Sequence, residues 1–175
     1  MGKITRYENT YFMGGIVKMR RKDREITDLN EIMKIIKKCD VCSLAFFDEE
    51  YPYIIPLNFG VTLVDDRITL YFHGANVGKK LELIKKNNKV GFEMNCSHKL
   101  LLEEIACKST MEFESVCGNG VVEILNETEK KDALTYLMKQ YSSKESFEFS
   151  KSEVDAVTVF KIVVNEIQGK ILKCS

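Results

Sequence analysis

Two lysines beside a histidine and several glycines are the residues of this chain best suited to chemistry. They lie in Ile68–Lys80, ITLYFHGANVGKK. Leu70 and Phe72 alternate with Thr69 and Tyr71, the period-2 pattern of a strand with one buried face. His73, Gly74, Ala75 and Gly78 then predict a turn of small bulk, where a ligand can approach the backbone. Lys79 and Lys80 open a predicted helix whose apolar positions are Val77, Leu81 and Ile84. Free amides at a helix N-terminus and two ammonium groups make a cradle for phosphate. A solvated helix start is the plainer alternative, but lysines there oppose the helix dipole, at a small cost unless an anion is bound. The pattern matches neither the P-loop nor the dinucleotide-binding fingerprint.

Other chemistries find less support. The two histidines, His73 and His98, belong to no HExxH motif, and no GxSxG elbow is present. His73 ends an apolar strand, a position that suits either a structural or a catalytic role, whereas His98 reads as a loop residue. Glu103, Glu104, Glu112 and Glu114 sit where solvated faces also place carboxylates. Cys39-Asp-Val-Cys42 is a lone CxxC, and Cys96, Cys107, Cys117 and Cys174 add no second pair at zinc-ribbon spacing. Cys42 and Cys117 fall inside predicted strands and read as small buried hydrophobes. Tyr71, Phe72 and Phe59 can stack on a flat ring or simply fill a core.

These residues need a scaffold, and 175 residues supply one domain with a substantial core. The 26 basic and 26 acidic side chains cancel, so no net field favours nucleic acid or an anionic membrane. No apolar run approaches a membrane span, and MGKITRYENTYFMGG lacks the layout of a secretory signal. A cytoplasmic location with reduced thiols is the expectation.

Residues 1–18 form an expected N-terminal arm, and 19–175 the folded domain. Asp28 and Glu31 signal a capped helix, with Ile32, Ile35 and Ile36 on one face, to about Lys38. Cys42–Phe47 and Tyr53–Phe59 read as a hairpin. Pro52 and Pro56 put its second strand at an edge, or interrupt it, leaving backbone groups free for a ligand. A second hairpin joins Val61–Val64 to Arg67–Phe72 through Asp65-Asp66. Helix Asn76–Asn88 and strand Val90–Met94 follow; residues 96–110 have no assignable pattern. Met111–Leu125 reads as a strand bent at Gly118 and Gly120. Asn126 and Glu129 cap a helix expected to bury Ala133, Leu134, Leu137, Met138 and Tyr141. A polar loop at Ser142–Glu153, with room for a short helix, leads to strand Val157–Val163, continued by Glu166–Leu172. Six or seven strands with tight connections and few helices predict a mostly β fold, a closed antiparallel barrel.

Beyond this reading, the chain resembles the nitroimidazole-resistance proteins of the flavin-binding split-barrel superfamily that includes pyridoxamine-phosphate oxidase. The matching segments include MRRKDREITD (19–28), KKCDVCSLAFFD (37–48), YPYIIPLNFG (51–60), LYFHGANVGKKLELIKKN (70–87), VGFEM (90–94), FESVCGNGVVEI (113–124) and FKIVVNEIQGK (160–170). The resemblance implies a six-stranded antiparallel split barrel forming a homodimer, with FMN, or FAD, between subunits. It implies flavin contacts from Pro56, Leu57, Asn58, Phe59, Phe72, His73, Gly74, Ala75 and Gly78, phosphate contacts from Lys79 and Lys80, and Ser115 supplied by the partner subunit. It further implies reductive chemistry on a small aromatic or nitro compound as electron acceptor, with His73 as candidate hydrogen-bond or proton donor. A flavin-storage or haem-binding protein of the same fold, His73 then being the candidate haem ligand, is the alternative.

Overall fold

A computed structural model describes residues 21–174; the expected arm at 1–18 lies outside them. Eight strands, β1 (Glu25–Ile26), β2 (Cys42–Phe46), β3 (Tyr53–Leu57), β4 (Gly60–Val64), β5 (Arg67–Ala75), β6 (Lys89–Leu101), β7 (Thr110–Ile124) and β8 (Val157–Leu172), make one sheet. Four helices accompany them: α1 (Leu29–Ile36), α2 (Lys79–Lys86), α3 (Glu127–Tyr141) and α4 (Lys151–Asp155). The strand order is β3-β2-β6-β7-β8-β5-β4, with β1 also paired to β8, and the recorded pairings are antiparallel. The mostly β class of the sequence reading holds. The split barrel that the resemblance implies holds too, with eight strands where six were expected; full closure does not, since β3 and β4, the two ends of the order, are consecutive in sequence yet form no ladder. Pro56 lacks an N–H, and the extended Tyr53–Phe59 run breaks after Leu57, so the sheet curls but stays split.

Alternation places Leu44, Phe46, Leu70, Phe72, Val90, Phe92, Met94, Phe160 and Ile162 inside, where they are at most 4% exposed. Phe72 stacks on Phe160 with ring centroids 5.3 Å apart, and Phe59 tilts against Phe72 at 6.5 Å. Helix α1 starts as its sequence signal requires, the Glu31 N–H donating to Asp28 Oδ1 at 2.9 Å, and seals one side with Ile32, Ile35 and Ile36.

Helix α3 opens with a full capping box at Asn126 and Glu129 and packs on the outside of β4 and β5. It buries Ala133 and Leu137 as expected, with Leu134 half-buried. Met138 and Tyr141 stay exposed. Tyr141 instead uses its hydroxyl, which donates to the Asp40 carbonyl at 2.8 Å and accepts the Phe59 N–H at 2.9 Å. Cys42 is buried as expected, but Cys117 is exposed, since Val116 takes the inward position of β7. Residues 96–110 complete the long β6–β7 hairpin around a bulge between Cys96 and Lys99, so His98 is a strand residue.

Glu114 is the one acidic side chain in the described core, 3% exposed and held by Lys38 Nζ at 2.6 Å and Lys173 Nζ at 3.3 Å. Burial alone would raise its pKa; the two lysines outweigh it and hold the carboxyl below its ordinary value. A depressed carboxylate pKa stabilises the fold above the ordinary value and loses that contribution as pH falls through the folded one. Glu114→Gln should therefore cost about 1–2 kcal/mol at neutral pH, moderated because both lysines can turn to solvent. Urea unfolding of both proteins should show the gap closing in acid.

Candidate functional site

The split between the sheet ends positions the candidate site. Strand β5 pairs with β4 only from Arg67 to Tyr71, the last pair being Tyr71 with Gly60. Its continuation through His73, Gly74 and Ala75 pairs on the other side alone, with Val159, Thr158 and Val157 of β8. This corrects the expected turn at His73–Ala75: β8 is sixteen residues long and keeps offering ladder partners, so the strand runs on and the turn shrinks to Asn76–Gly78. Strand β3 likewise pairs only with β2. Two strand edges thus diverge from the Asn58–Phe59 link, each with every second backbone N–H and C=O turned away from its ladder.

Helix α2 closes the wide end of this slot. Gly78, its N-cap, has φ of 131°, a conformation open to glycine, and nothing lies within 4 Å of where a Cβ would project. That backbone starts the helix at Lys79, later than the expected Asn76. Asn76 instead donates from Nδ2 to the Asp155 carbonyl and accepts from Thr158 Oγ1 at 2.8 Å.

The two lysines have different surroundings. Lys79 Nζ meets Asp48 Oδ2 at 2.5 Å and lies 5.3 Å from the centre of the Tyr53 ring, bridging to the start of β3. The hydrogen bond raises the Lys79 pKa and lowers that of Asp48. Lys80 lies over Gly74, where a Cβ would collide with its Nζ, and 5.2 Å above the Phe160 ring. Among the described residues no carboxylate pairs with Lys80, and burial pushes its pKa down. A half-buried ammonium without a counter-ion, beside an uncapped helix N-terminus, is suited to an anion.

His73 is exposed on the opposite parity of β5 from Phe72. Partial desolvation by neighbouring atoms, and then the charge of Lys80, lower its pKa and favour the neutral imidazole, which has one N–H to donate.

The other expected residues divide clearly. Pro56 and Asn58 are exposed and Leu57 is half-buried at the β3 end; Asn58 Nδ2 donates to the Asp40 carbonyl at 3.0 Å. Phe59 and Phe72 are 0% exposed, so their rings belong to the core, and the Phe59 N–H is committed to Tyr141. Ser115 is not brought to this slot within one chain: it pairs with Lys170 of β8, whereas His73 pairs with Val159, roughly 35 Å away along the strand. Sequence reasoning missed Asp48, Phe160 and Tyr141 as the groups that orient the lysines and the β3–β4 link.

A split antiparallel sheet with an uncapped helix start beside two unpaired strand edges defines the split-barrel class. The Pyridoxamine 5'-phosphate oxidase family model matches residues 28–171, and the chain belongs to that family. A structure described as a candidate 5-nitroimidazole antibiotic resistance protein from Bacteroides thetaiotaomicron is 32% identical over 97% of this chain and 96% of its own, with a TM-score of 0.72. At the level of fold alone, an FAD and haem binding protein from Mycobacterium smegmatis is similar at 15% identity, covering 86% of this chain and 74% of its own, TM-score 0.75. So is an FAD-binding protein from Mesorhizobium loti at 21% identity, covering 86% and 98%, TM-score 0.58. Comparison with curated proteins gave no match. Among the described residues no helix is long and apolar enough to cross a membrane.

Proposed function

We propose that this chain is a flavin-dependent oxidoreductase that holds FMN in the slot between β3 and the end of β5. The observation that carries the reading is the pairing of two unpartnered strand edges with the unpaired, half-buried Lys80 ammonium at their wide end. A flavin ring presents hydrogen-bonding groups along one edge, which suits backbone amides and carbonyls at Pro56–Asn58 and His73–Ala75. Its phosphate suits Lys80 Nζ and the α2 amides beyond Gly78. FAD carries the same phosphate, so the same contacts accept it. The similar structures, one tied to nitroimidazole resistance, one an FAD and haem binding protein and one an FAD-binding protein, support flavin as the ligand class.

The bound flavin would supply two-electron chemistry. The protein's own contribution is position and protons. Core stacking of Phe72 on Phe160 fixes the strand that carries His73. The neutral imidazole can donate a hydrogen bond to a small aromatic or nitro acceptor above the flavin. One chain leaves the slot open, with Ser115 far from it, and we propose that a second copy covers it and supplies Ser115.

The test is anaerobic. FMN-loaded protein given NAD(P)H should lose its flavin absorption band, and a nitroimidazole should restore it. A band that nicotinamides bleach but that neither nitroimidazoles nor related aromatics restore would remove the proposed acceptor class.

A further inference from the structure

Cys39 belongs to a lone CxxC with Cys42, and the fold brings another cysteine, Cys96, beside it. Cys39 follows the last turn of α1 and its thiol donates to the Ile35 carbonyl at 3.4 Å. Cys96, on the neighbouring strand β6, aims its Sγ at the same carbonyl oxygen at 3.9 Å. The two sulfurs therefore share one acceptor, and each influences the other's environment. Cys42, the first residue of β2, is fully buried in the core.

Accessibility divides the pair. Cys39 is 1% exposed, whereas Cys96 is half-buried. Burial first, and then Cys96, raise the Cys39 pKa, so Cys39 does not react first. Cys96 borders the β-bulge that shifts the register between Cys96 and Lys99, where Ser97 has φ of 59°. A bulge is where a strand can yield locally and re-aim a side chain.

We propose that Cys39 and Cys96 form a reversible, peroxide-sensitive disulfide that ties the end of α1 to β6. The chemistry balances with hydrogen peroxide as the named oxidant. Cys96 loses its proton and its thiolate attacks one peroxide oxygen; the O–O bond breaks, a sulfenic acid forms, and the departing hydroxide takes up that proton and leaves as water. Cys39 Sγ then attacks Cys96 Sγ, the S–O bond breaks, and the second water leaves carrying the Cys39 proton. The two sulfurs lose two electrons and the peroxide gains them. A thiol restores both cysteines by exchange. The inference stands on the cysteine geometry and needs no flavin.

Peptide mapping of the full-length protein tests it. Reduced protein is treated with hydrogen peroxide, alkylated in denaturant and digested without reductant. The expected result is a cross-linked peptide pair holding Cys39 and Cys96, two hydrogens lighter than the reduced pair and released by dithiothreitol, while Cys42 remains alkylated. Cys96→Ser should leave Cys39 alkylated under the same treatment. Cys39 that stays alkylated in the wild type while Cys96 is oxidised to sulfinic acid would overturn the proposal. So would Cys39 joined to Cys42, or Cys39 oxidised equally in Cys96→Ser.

Discussion

Lys80→Ala weakens FMN binding roughly ten- to hundredfold, the range expected for one charge-assisted contact to a phosphate, while Lys79→Ala changes it by less than about threefold. The asymmetry follows from what each ammonium already holds. Lys79 is satisfied by Asp48 at 2.5 Å and would have to give up that carboxylate to meet a phosphate. Lys80 gives up no carboxylate: its Nζ rests between the Gly74 backbone and the Phe160 ring, and burial lowers its pKa. A phosphate arriving there recovers the solvation that burial removed. Removing Lys80 relieves a buried charge, so the thermal midpoint of the ligand-free variant should hold or rise, which separates lost binding from lost folding. Fluorescence titration of FMN against the three proteins reads the difference. Equal losses for both lysines would mean that the Asp48 pair opens on binding; no loss for Lys80→Ala would place the phosphate elsewhere.

Gly60→Ala lowers the thermal midpoint by roughly 6–12 °C, equivalent to about 3 kcal/mol. Gly60 opens β4 where α3 crosses it, and an added Cβ would come within 2.5 Å of the Tyr136 carbonyl carbon and 2.6 Å of Leu137 Cα, closer still to Leu137 N. These are backbone atoms of a fifteen-residue helix, so no side chain can swing aside. The chain-entropy benefit of replacing glycine, about 0.4–1 kcal/mol, has the opposite sign and is too small to compensate. The clash pushes α3 from the sheet and loosens the Tyr71–Tyr136 ring contact at 4.9 Å and the Tyr141 hydrogen bonds that fix Phe59 and Asp40. Thermal unfolding by circular dichroism checks it; a midpoint within about 2 °C of wild type would contradict this packing of α3.

Local signals were the readable part of this fold. Asp28, Asn126 and Ser150 each cap a helix through contacts within three residues; the first two were read as caps, and a short helix was allowed for the third. Alternation marked Leu70 and Phe72 as inward-facing. Nothing near His73 revealed that the strand continues, because its ladder partners at 157–159 lie more than eighty residues away. Lys79 and Lys80 are adjacent and chemically alike, so only the distant Asp48 and Phe160 separate their roles. Cys39 and Cys96 lie 57 residues apart, so only the packing of α1 on β6 brings their sulfurs to one carbonyl. Ser115 was readable only through the family resemblance, and its distance from His73 along β8 is what makes a second copy necessary to that role.

On the proposed function, the divergent edges of β3 and β5, ended by Lys80, bind a flavin. Equilibrium titration of the purified, ligand-free protein with FMN, followed by quenching of flavin fluorescence, tests it most directly. The account predicts saturation at one FMN per chain, with the midpoint shifted by Lys80→Ala. Flavin fluorescence that stays unchanged as protein is added, with both FMN and FAD, would contradict it.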